Sequence, residues 1–541
     1  MSQKKQSIVN IGVKVVVDLI SLIVIAIINY CKITPWNIHS GSMWVKIFLF
    51  SLVIAGNMVI KKIYAGMKSD DPYSDTEGKF TSLLIPLGVF VAIIIIIITG
   101  MQLFNAERYK NIISVKETTA ADAVPNVSDL NSIALMDSQS ATRLGDRKIG
   151  EIESFSAFDV ASGYMQLNVG GEPVKVAPLI YKGFFKWKNN REAGVPGYVT
   201  VSPTTMEAKY VKLEKGMKYV PSAYFSENIY RKIHKDFPTT IFGYTHFEVD
   251  ESGNPYYVSA VYKTTVGLIG GTVVDGAIIT DPVTGKSKKY SIADIPEWVD
   301  IVWDGDMICS LYNLSYKNIN GYWNGTGFGA NTGCKQTTSD FGYIAKNNDI
   351  YIYTGVTSLA SDNSNLGFIV VNSRTGEYKF FASSGANEES AMNSAAGEVQ
   401  NYNYTASFPS LVNINGQLSY IGVMKDKNDL VKMYYLVNAD DYGKVVVKET
   451  REECLTAYLA KIDSTKAPSV SDQNVNEDTA SISITISVIQ YVTEGGNTYV
   501  YFGAEDGTVY KSLFSDNENL IFVKAGDTIS GKVQDGLFYL N

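Results

Sequence analysis

Three histidines, His39, His234 and His246, are the whole supply of imidazole in a chain of 541 residues. General acid–base sites most often recruit His, so a Ser-His-Asp triad or a zinc centre has little material here. The cysteines Cys31, Cys309, Cys334 and Cys454 form neither a CxxC pair nor a zinc-type spacing. A Cys309–Cys334 disulfide and two reduced thiols both remain open. No HExxH, GxSxG or phosphate loop occurs. Carboxylates pair at Asp304/Asp306 and Glu388/Glu389, and a glycosidase uses two, but acidic residues at helix starts ordinarily serve capping. "SDNSNLG" (361–367) sets oxygen ligands near a glycine, yet position twelve counted from Asp362 is Ser373 rather than Glu, so the EF-hand pattern fails. The chemistry-bearing residues therefore predict no catalytic set, no metal centre and no cofactor.

Binding is better supplied. "GFFKWKNN" (183–190) groups Phe184, Phe185 and Trp187, and the Gly/Asn-rich "NGYWNGTGFGANTGC" (320–334) carries Tyr322, Trp323 and Phe328. Aromatics on loops suit carbohydrate or peptide contact, with packing between neighbouring units as the competing reading. Charge narrows the partner. The net charge of −8 divides into +4 on residues 1–104 and −12 on the remaining 437. An acidic exterior is a poor match for phosphate backbones, so no nucleic-acid partner is expected.

The elements that position these residues begin with three apolar runs, Ile8–Tyr30, Val45–Ile60 and Leu83–Phe104, the last containing "VAIIIIIITG". A bilayer core takes about 20 apolar residues per helix, so the bilayer itself is the first expected partner. Lys61, Lys62, Lys68 and Lys79 lie between runs two and three, and Lys4 and Lys5 precede run one. The positive-inside rule then predicts a multi-pass protein of the cell membrane with a cytoplasmic N-terminus and residues 105–541 outside. No small-residue cleavage site follows run one, which reads as a signal-anchor. Lys14 and Asp18, four apart on one helix face, are expected to pair, and Asn57 is expected to bond neighbouring helices.

Beyond the polar segment 105–148, which reads as a stalk, a unit recurs. "THFEVDESGNPYYVSAVYK" (245–263) and "VVDGAIITDPVTGKSKKYSI" (273–292) are two strand pairs around Gly253 and Gly285. Alternating apolar residues with Gly/Asn punctuation mark hairpins. Later copies turn at Asn347-Asn348 and Gly376, then at Asn415-Gly416 and Gly443. The first copy turns at Gly170-Gly171 and keeps Pro203 and Thr205, with Met206 where the others have Gly. Helices are expected over 222–237, 293–302, "EESAMNSAAGEVQ" and "TREECLTAYLAKI", each covering the apolar face of a sheet. After a polar linker, "SISITISVIQYVTEGGNTYVYFGAEDGTVYKSLF" and the strands that follow predict a small barrel similar to an OB-fold.

A helix followed by "GNPYYVSAVY" and "GAIITDPVTGKSKKY" resembles the PepSY module, a strand entering a D-x-x-T-G turn and leaving as another strand. Residues 222–292 carry that likeness best; Asn372 and Asn438 replace the Asp in later copies. The whole chain is also similar to a group of uncharacterised membrane proteins from Gram-positive bacteria that share "GFFKWKNN" and "IADIPEWVD". The resemblance implies binding and restraint of peptidases, without catalysis. The fold class expected is α+β, with three transmembrane helices, tandem PepSY-like modules and an OB-like barrel. Its segments are an anchor (1–104), a stalk (105–148), modules at 149–237, 238–303, 304–402 and 403–462, a linker (463–480) and the barrel (481–541). The function expected is membrane-anchored, extracytoplasmic binding or regulation of a protein or cell-wall partner. The alternatives are an oligomeric envelope scaffold and an unrecognised enzyme such as a glycan hydrolase.

Overall fold

The computed structural model describes residues 3–66, 76–127, 133–150, 156–359, 365–463, 482–494, 497–504, 508–514, 520, 523–534 and 537–540. Residues 361–364 of the candidate calcium loop and nearly all of the 463–480 linker lie outside that set, as do Gly495, Gly496, Asp506 and Gly507. Helices α1 (Gln3–Cys31), α2 (Gly41–Gly66) and α3 (Thr76–Gly100) hold three stretches long and apolar enough to cross a membrane: Gly12–Cys31, Gly41–Tyr64 and Thr81–Gly100. Asp18 meets Lys61 of α2 rather than Lys14. Asn57 draws α2 onto α1, donating to Asp18, to Ser21 Oγ at 2.8 Å and to the Val17 carbonyl at 3.2 Å. Polar side chains fasten helices where no water competes for them.

Eight further helices follow. They are α4 (Gln102–Lys110), α5 (Ala120–Ala123), α6 (Ser138–Gly150), α7 (Phe184–Asn190), α8 (Ile229–Asp236), α9 (Gly305–Lys317), α10 (Glu388–Glu398) and α11 (Arg451–Asp463). Strand β1 (Val115–Glu117) comes early. The first sheet then holds β2 (Phe158–Val160), β3 (Met165–Val169), β4 (Glu172–Tyr181), β5 (Val195–Val201) and β6 (Ala208–Met217). The second is β7 (Phe242–Val249), β8 (Pro255–Val266), β9 (Gly270–Thr280) and β10 (Ser287–Ser291). The third is β11 (Lys335–Thr337), β12 (Gly342–Lys346), β13 (Asp349–Ser358), β14 (Asn365–Asn372) and β15 (Tyr378–Gly385), with β1 on its outer edge. The fourth is β16 (Thr405–Ala406), β17 (Ser410–Ile414), β18 (Gln417–Lys425), β19 (Val431–Asn438) and β20 (Val445–Lys448).

Each sheet thus contains one four-stranded antiparallel meander: β3-β4-β5-β6, β7-β8-β9-β10, β12-β13-β14-β15 and β17-β18-β19-β20. Their first strands converge, β3 against β7 and β13, and β12 against β17. Alternate residues of one strand enter different cores. Val258, Ala260 and Ile279 of the second sheet pack toward the third, while Phe247, Tyr257 and Val261 pack toward the first. The third sheet does the same with Ile352, Ile369 and Phe380 on one side and Tyr353, Phe368 and Phe381 on the other. The fourth buries Ile421 and Leu436 beneath Cys454 and Tyr458 of α11. Between the fourth and first sheets, α6 lies on β2, β5 and β6, and α11 lies on β19 and β20. Arg451 of α11 donates to the Pro203 carbonyl of the first sheet at 3.4 Å. Four meanders sharing cores around converging first strands make a propeller-like arrangement. The expectation of separate modules, each closed by its own helix, gives way to shared cores within one compact unit, residues 1–464. The physical reason is visible in "GFIVV" and "LSYIGVM": near-continuous apolar strands need cover on both faces.

The repeated turn is the joint between neighbours. Asp281 Oδ1 accepts the N–H groups of Val283 and Thr284 at 2.8 and 3.2 Å, and Gly285 adopts φ +73°. Asn372 Oδ1 accepts Arg374 and Thr375 at 3.0 and 2.9 Å, and Gly376 again has φ +73°. Asn438 repeats the pattern with Asp440 and Asp441. In the first copy Met206 takes the left-handed position, with φ +60°. The Pro282 carbonyl then accepts from Lys218 and Tyr219, and the Ser373 carbonyl from Val302 and Trp303. The three later turns are Asx chemistry that locks one sheet to the chain leaving the previous one, while the first copy uses Ser202, whose hydroxyl accepts the Thr205 N–H at 3.1 Å.

Two expectations fail for stated reasons. The helix predicted over 293–302 is a 3-10 turn at Ile292–Asp294, then a turn closed by the Val299 N–H on the Pro296 carbonyl at 3.1 Å and irregular chain, because the N–H groups of Asp300 and Ile301 are taken by Glu248; the helix starts only at Gly305, capped by Asp304. Residues 105–148 are no free stalk. β1 pairs in parallel with β15, Val127 N–H reaches the Asn413 carbonyl, and Val124, Leu135, Met136 and Ala141 each enter a core. The buried apolar residues are few and scattered, and segments this short leave no periodic signature.

The apolar helices also grip the β-rich region. Trp36 N–H bonds the Pro238 carbonyl at 2.8 Å, and Asn37 bonds that of Thr239 at 2.9 Å. The guanidinium of Arg231 in α8 lies 4.1 Å over the Tyr30 ring and donates to the Tyr30 carbonyl at 2.6 Å.

Residues 465–541 form the second unit. Its sheet runs β23-β22-β21-β24-β25, with β21 Ile482–Glu494, β22 Asn497–Ala504, β23 Val509–Leu513, β24 Thr528–Gln534 and β25 Leu537–Leu540. β21 pairs with β24 through its first half and with β22 through its second, across a register shift at Ile486/Val488. Such a shift bends a strand, and the sheet curls over Ile486, Phe502 and Phe538.

Candidate binding site

The six aromatics singled out by sequence fall in two places. Phe184, Phe185 and Trp187 lie on α7, where Tyr224 and Phe225 of the segment before α8 join them. Phe184 stands 5.2 Å from Tyr224 and 5.5 Å from Phe185, ring centre to ring centre. Trp187 is the buried footing: its indole N–H donates to Glu227 at 2.9 Å, and Arg191 pairs with the same carboxylate at 2.5 Å. Phe185 is 75% exposed and Phe225 54%. Phe225 holds φ +54°, an unfavourable value for a bulky residue. Rings kept exposed on a braced frame are organised for contact. Tyr322, Trp323 and Phe328 occupy the second place, the loop after α9, where Trp323 and Phe328 are 62% and 95% exposed and Tyr322 packs edge-on to Trp323.

A different set of residues meets where the first strands converge. His246 and Glu248 of β7 point away from the core that takes Phe247 and Val249. His246 Nε2 lies 2.7 Å from Glu248 Oε1, which also accepts the Ile301 N–H at 3.0 Å; Glu248 Oε2 accepts that of Asp300 at 3.0 Å. Asp300 in turn accepts the Asn168 N–H of β3 at 2.6 Å. Burial, then the charge of Glu248, pushes the Asp300 carboxyl up to about 9. Both effects favour the protonated form of Asp300. The network ties the first sheet to the second, and its hydrogen bonds leave His246 committed to structure.

Beside it the polar groups are open. Two adjoining cavities of about 380 and 250 Å³ lie between the β3–β4 hairpin, β12 and the start of β17, sharing Gln166, Tyr343 and Ser410 in their walls. Lys175 borders the smaller one and is 3% exposed. Burial lowers its ammonium to about 8, with Asp137 acting in the opposite direction. Asp137 itself is held by Lys425 and by the Ser140 N–H at 2.8 Å. The Asn168 side-chain oxygen is buried without a donor among the described residues.

Sequence reasoning missed this centre. "MQLNVGGEPVKV" and "YTHFEV" show polar residues alternating with apolar ones, and such alternation ordinarily marks a solvated face. Here the polar face turns inward because the strands converge. All four cysteines are free; Cys334 is buried and accepts from Asn324 at 3.1 Å. Comparison with known proteins adds no relative: no protein-family model and no curated protein matches the chain.

Proposed function

We propose that the chain is a membrane-anchored, extracytoplasmic binding or regulatory protein without catalytic activity, acting on a protein or cell-wall partner. The observation that carries this reading is the aromatic surface of Phe184, Phe185, Tyr224 and Phe225, braced from beneath by Trp187, Glu227 and Arg191. Aromatic side chains offer large contact area at low entropic cost, and the buried frame removes much of the ordering cost of association. The surface adjoins α8, which grips the end of α1 through Arg231. A partner that reaches the membrane surface, such as another membrane protein, fits that position best. The orientation follows from the lysines around the apolar helices, with residues 105–541 outside. The D-x-x-T-G turn at Asp281–Gly285 and its Asn372 counterpart support the likeness to PepSY modules at the level of the single repeat. The bent strand of residues 482–494 supports the OB-like reading of the last unit.

The experiment is crosslinking of the full chain in intact cells, followed by recovery of its partners. Recovery of a discrete partner that a Phe185→Ala/Phe225→Ala double variant loses supports the reading. Equal recovery by both forms, or none by either, refutes it. Protease added outside must remove residues 105–541; protection of that region overturns the orientation.

A further inference from the structure

The β3–β4 hairpin presents one polar face. Gln166 stands opposite Lys175 in register, and Asn168 stands opposite Pro173. Gln166 and Lys175 border the 250 Å³ cavity, and Gln166, Asn168 and Pro173 border its 380 Å³ neighbour. No acidic group lies within ion-pair distance of Lys175 among the described residues, and a buried charge without a partner is costly. Interior lysines are almost always paired. The missing counter-charge has a place to sit, because Lys175 lines the cavity. On the same face the Asn168 oxygen lacks a donor. Asp340 borders the small cavity too, its carboxylate accepting the Phe341 N–H at 2.8 Å, and Asp137 lies on the same wall. Two carboxylates beside one open ammonium disfavour a dianion.

We propose that this cavity binds a small monocarboxylic acid that also carries a hydroxyl or amide N–H. The carboxylate accepts from Lys175 and from the Gln166 amide, and the hydroxyl or N–H donates to the Asn168 oxygen. A combined space of this order accommodates a small organic molecule. The inference stands independently of any macromolecular partner on the aromatic surface.

The test uses the full chain in detergent or lipid discs, with thermal unfolding and calorimetric titration. The probes are lactate, N-acetylglycine, acetate and inorganic phosphate. Lactate or N-acetylglycine is expected to raise the melting temperature and to bind about tenfold more tightly than acetate, which lacks the donor. Phosphate is expected to give no response. Lys175→Met should abolish binding while leaving the unliganded protein at least as stable, since it removes a buried unpaired charge. Gln166→Leu should weaken binding without abolishing it. Affinity should fall as pH rises through about 8, where the amine loses its proton. Asp137, Asp340, Lys346, Lys425 and Tyr343 are the other titratable groups around this space, and the Lys346 ammonium donates to the Asp122 carbonyl. Burial raises Tyr343 to about 12, outside the window, and the Lys425 contact and the Ser140 N–H hold Asp137 below its ordinary range against its burial. No response to any carboxylate at millimolar concentration overturns the proposal, as does an unchanged response in Lys175→Met. Should Lys175→Met fail to fold, a pH-independent affinity or an unaffected Gln166→Leu overturns it equally. Acetate binding as tightly as lactate and N-acetylglycine overturns the role of Asn168.

Discussion

Two polar centres lie side by side among the sheets of the first unit, and they are built to opposite rules. Around Glu248, the carboxylate oxygens accept from two backbone N–H groups and meet one imidazole. Around Lys175, no ion-pair partner is present among the described residues, and Lys175, Gln166 and Asn168 line two adjoining cavities. Both sit on strands that converge at the middle of the sheets, so burial alone does not separate them. What separates them is how the charged group is met. Both Glu248 oxygens are hydrogen-bonded, although His246 Nδ1 is buried without a partner among the described residues, whereas Lys175 has no ion-pair partner among them. A finished network fastens elements, whereas an unfinished one is a cost that only a ligand offsets.

The largest break in that comparison is Glu248→Ala. It strands the N–H groups of Asp300 and Ile301 in the interior, and a loss of about 3–5 kcal/mol is expected in denaturant titration. The joint between sheets gives the next effect. A Cβ on Gly376 would stand 2.3 Å from Trp303 Cε2 at φ +73°, so Gly376→Ala should cost about 1–3 kcal/mol. Met206→Gly relieves the corresponding strain in the first copy and should leave stability within about 1 kcal/mol of the parent. Asp300→Asn sharpens the contrast through its pH dependence. The folded pKa of Asp300 is raised to about 9, so its contribution is fully present below the unfolded carboxylate range and is lost as pH rises toward 9. The amide variant should flatten that decline between about pH 4 and 9 and gain on the order of 1 kcal/mol at pH 7, read as a change of slope in stability against pH. Phe185→Ala comes last, with stability expected within about 0.5 kcal/mol while partner recovery falls.

Much of this was legible in residue order. Gly and Asn at the hairpin tips announced their left-handed conformations, and Asn347-Asn348 and Asn415-Gly416 adopt positive φ at both positions. The three apolar helices followed from length and composition. The Phe184–Phe185–Trp187 group was visible, but its completion by Tyr224 and Phe225 was not, because nothing local links residues forty apart. Trp187 shows the limit of reading a side chain by type: sequence offers it as a contact residue, and it is the buried support of the others. His246 and Glu248 look like the wet side of a half-exposed strand. Only the convergence of four meanders turns that side inward, and convergence is a property of the assembled sheets rather than of any window of sequence.

The parallel pairing of Val115–Glu117 with Tyr378–Phe380 carries a consequence for biogenesis. A strand made just after the last apolar helix must wait for one synthesised some 260 residues later, and Asn126 likewise waits for Asn413. Contacts this distant in sequence slow folding. The β-rich unit therefore cannot mature sheet by sheet as it is synthesised. Its early edge stays unpaired until late in synthesis, an interval in which a holding chaperone would have most to protect.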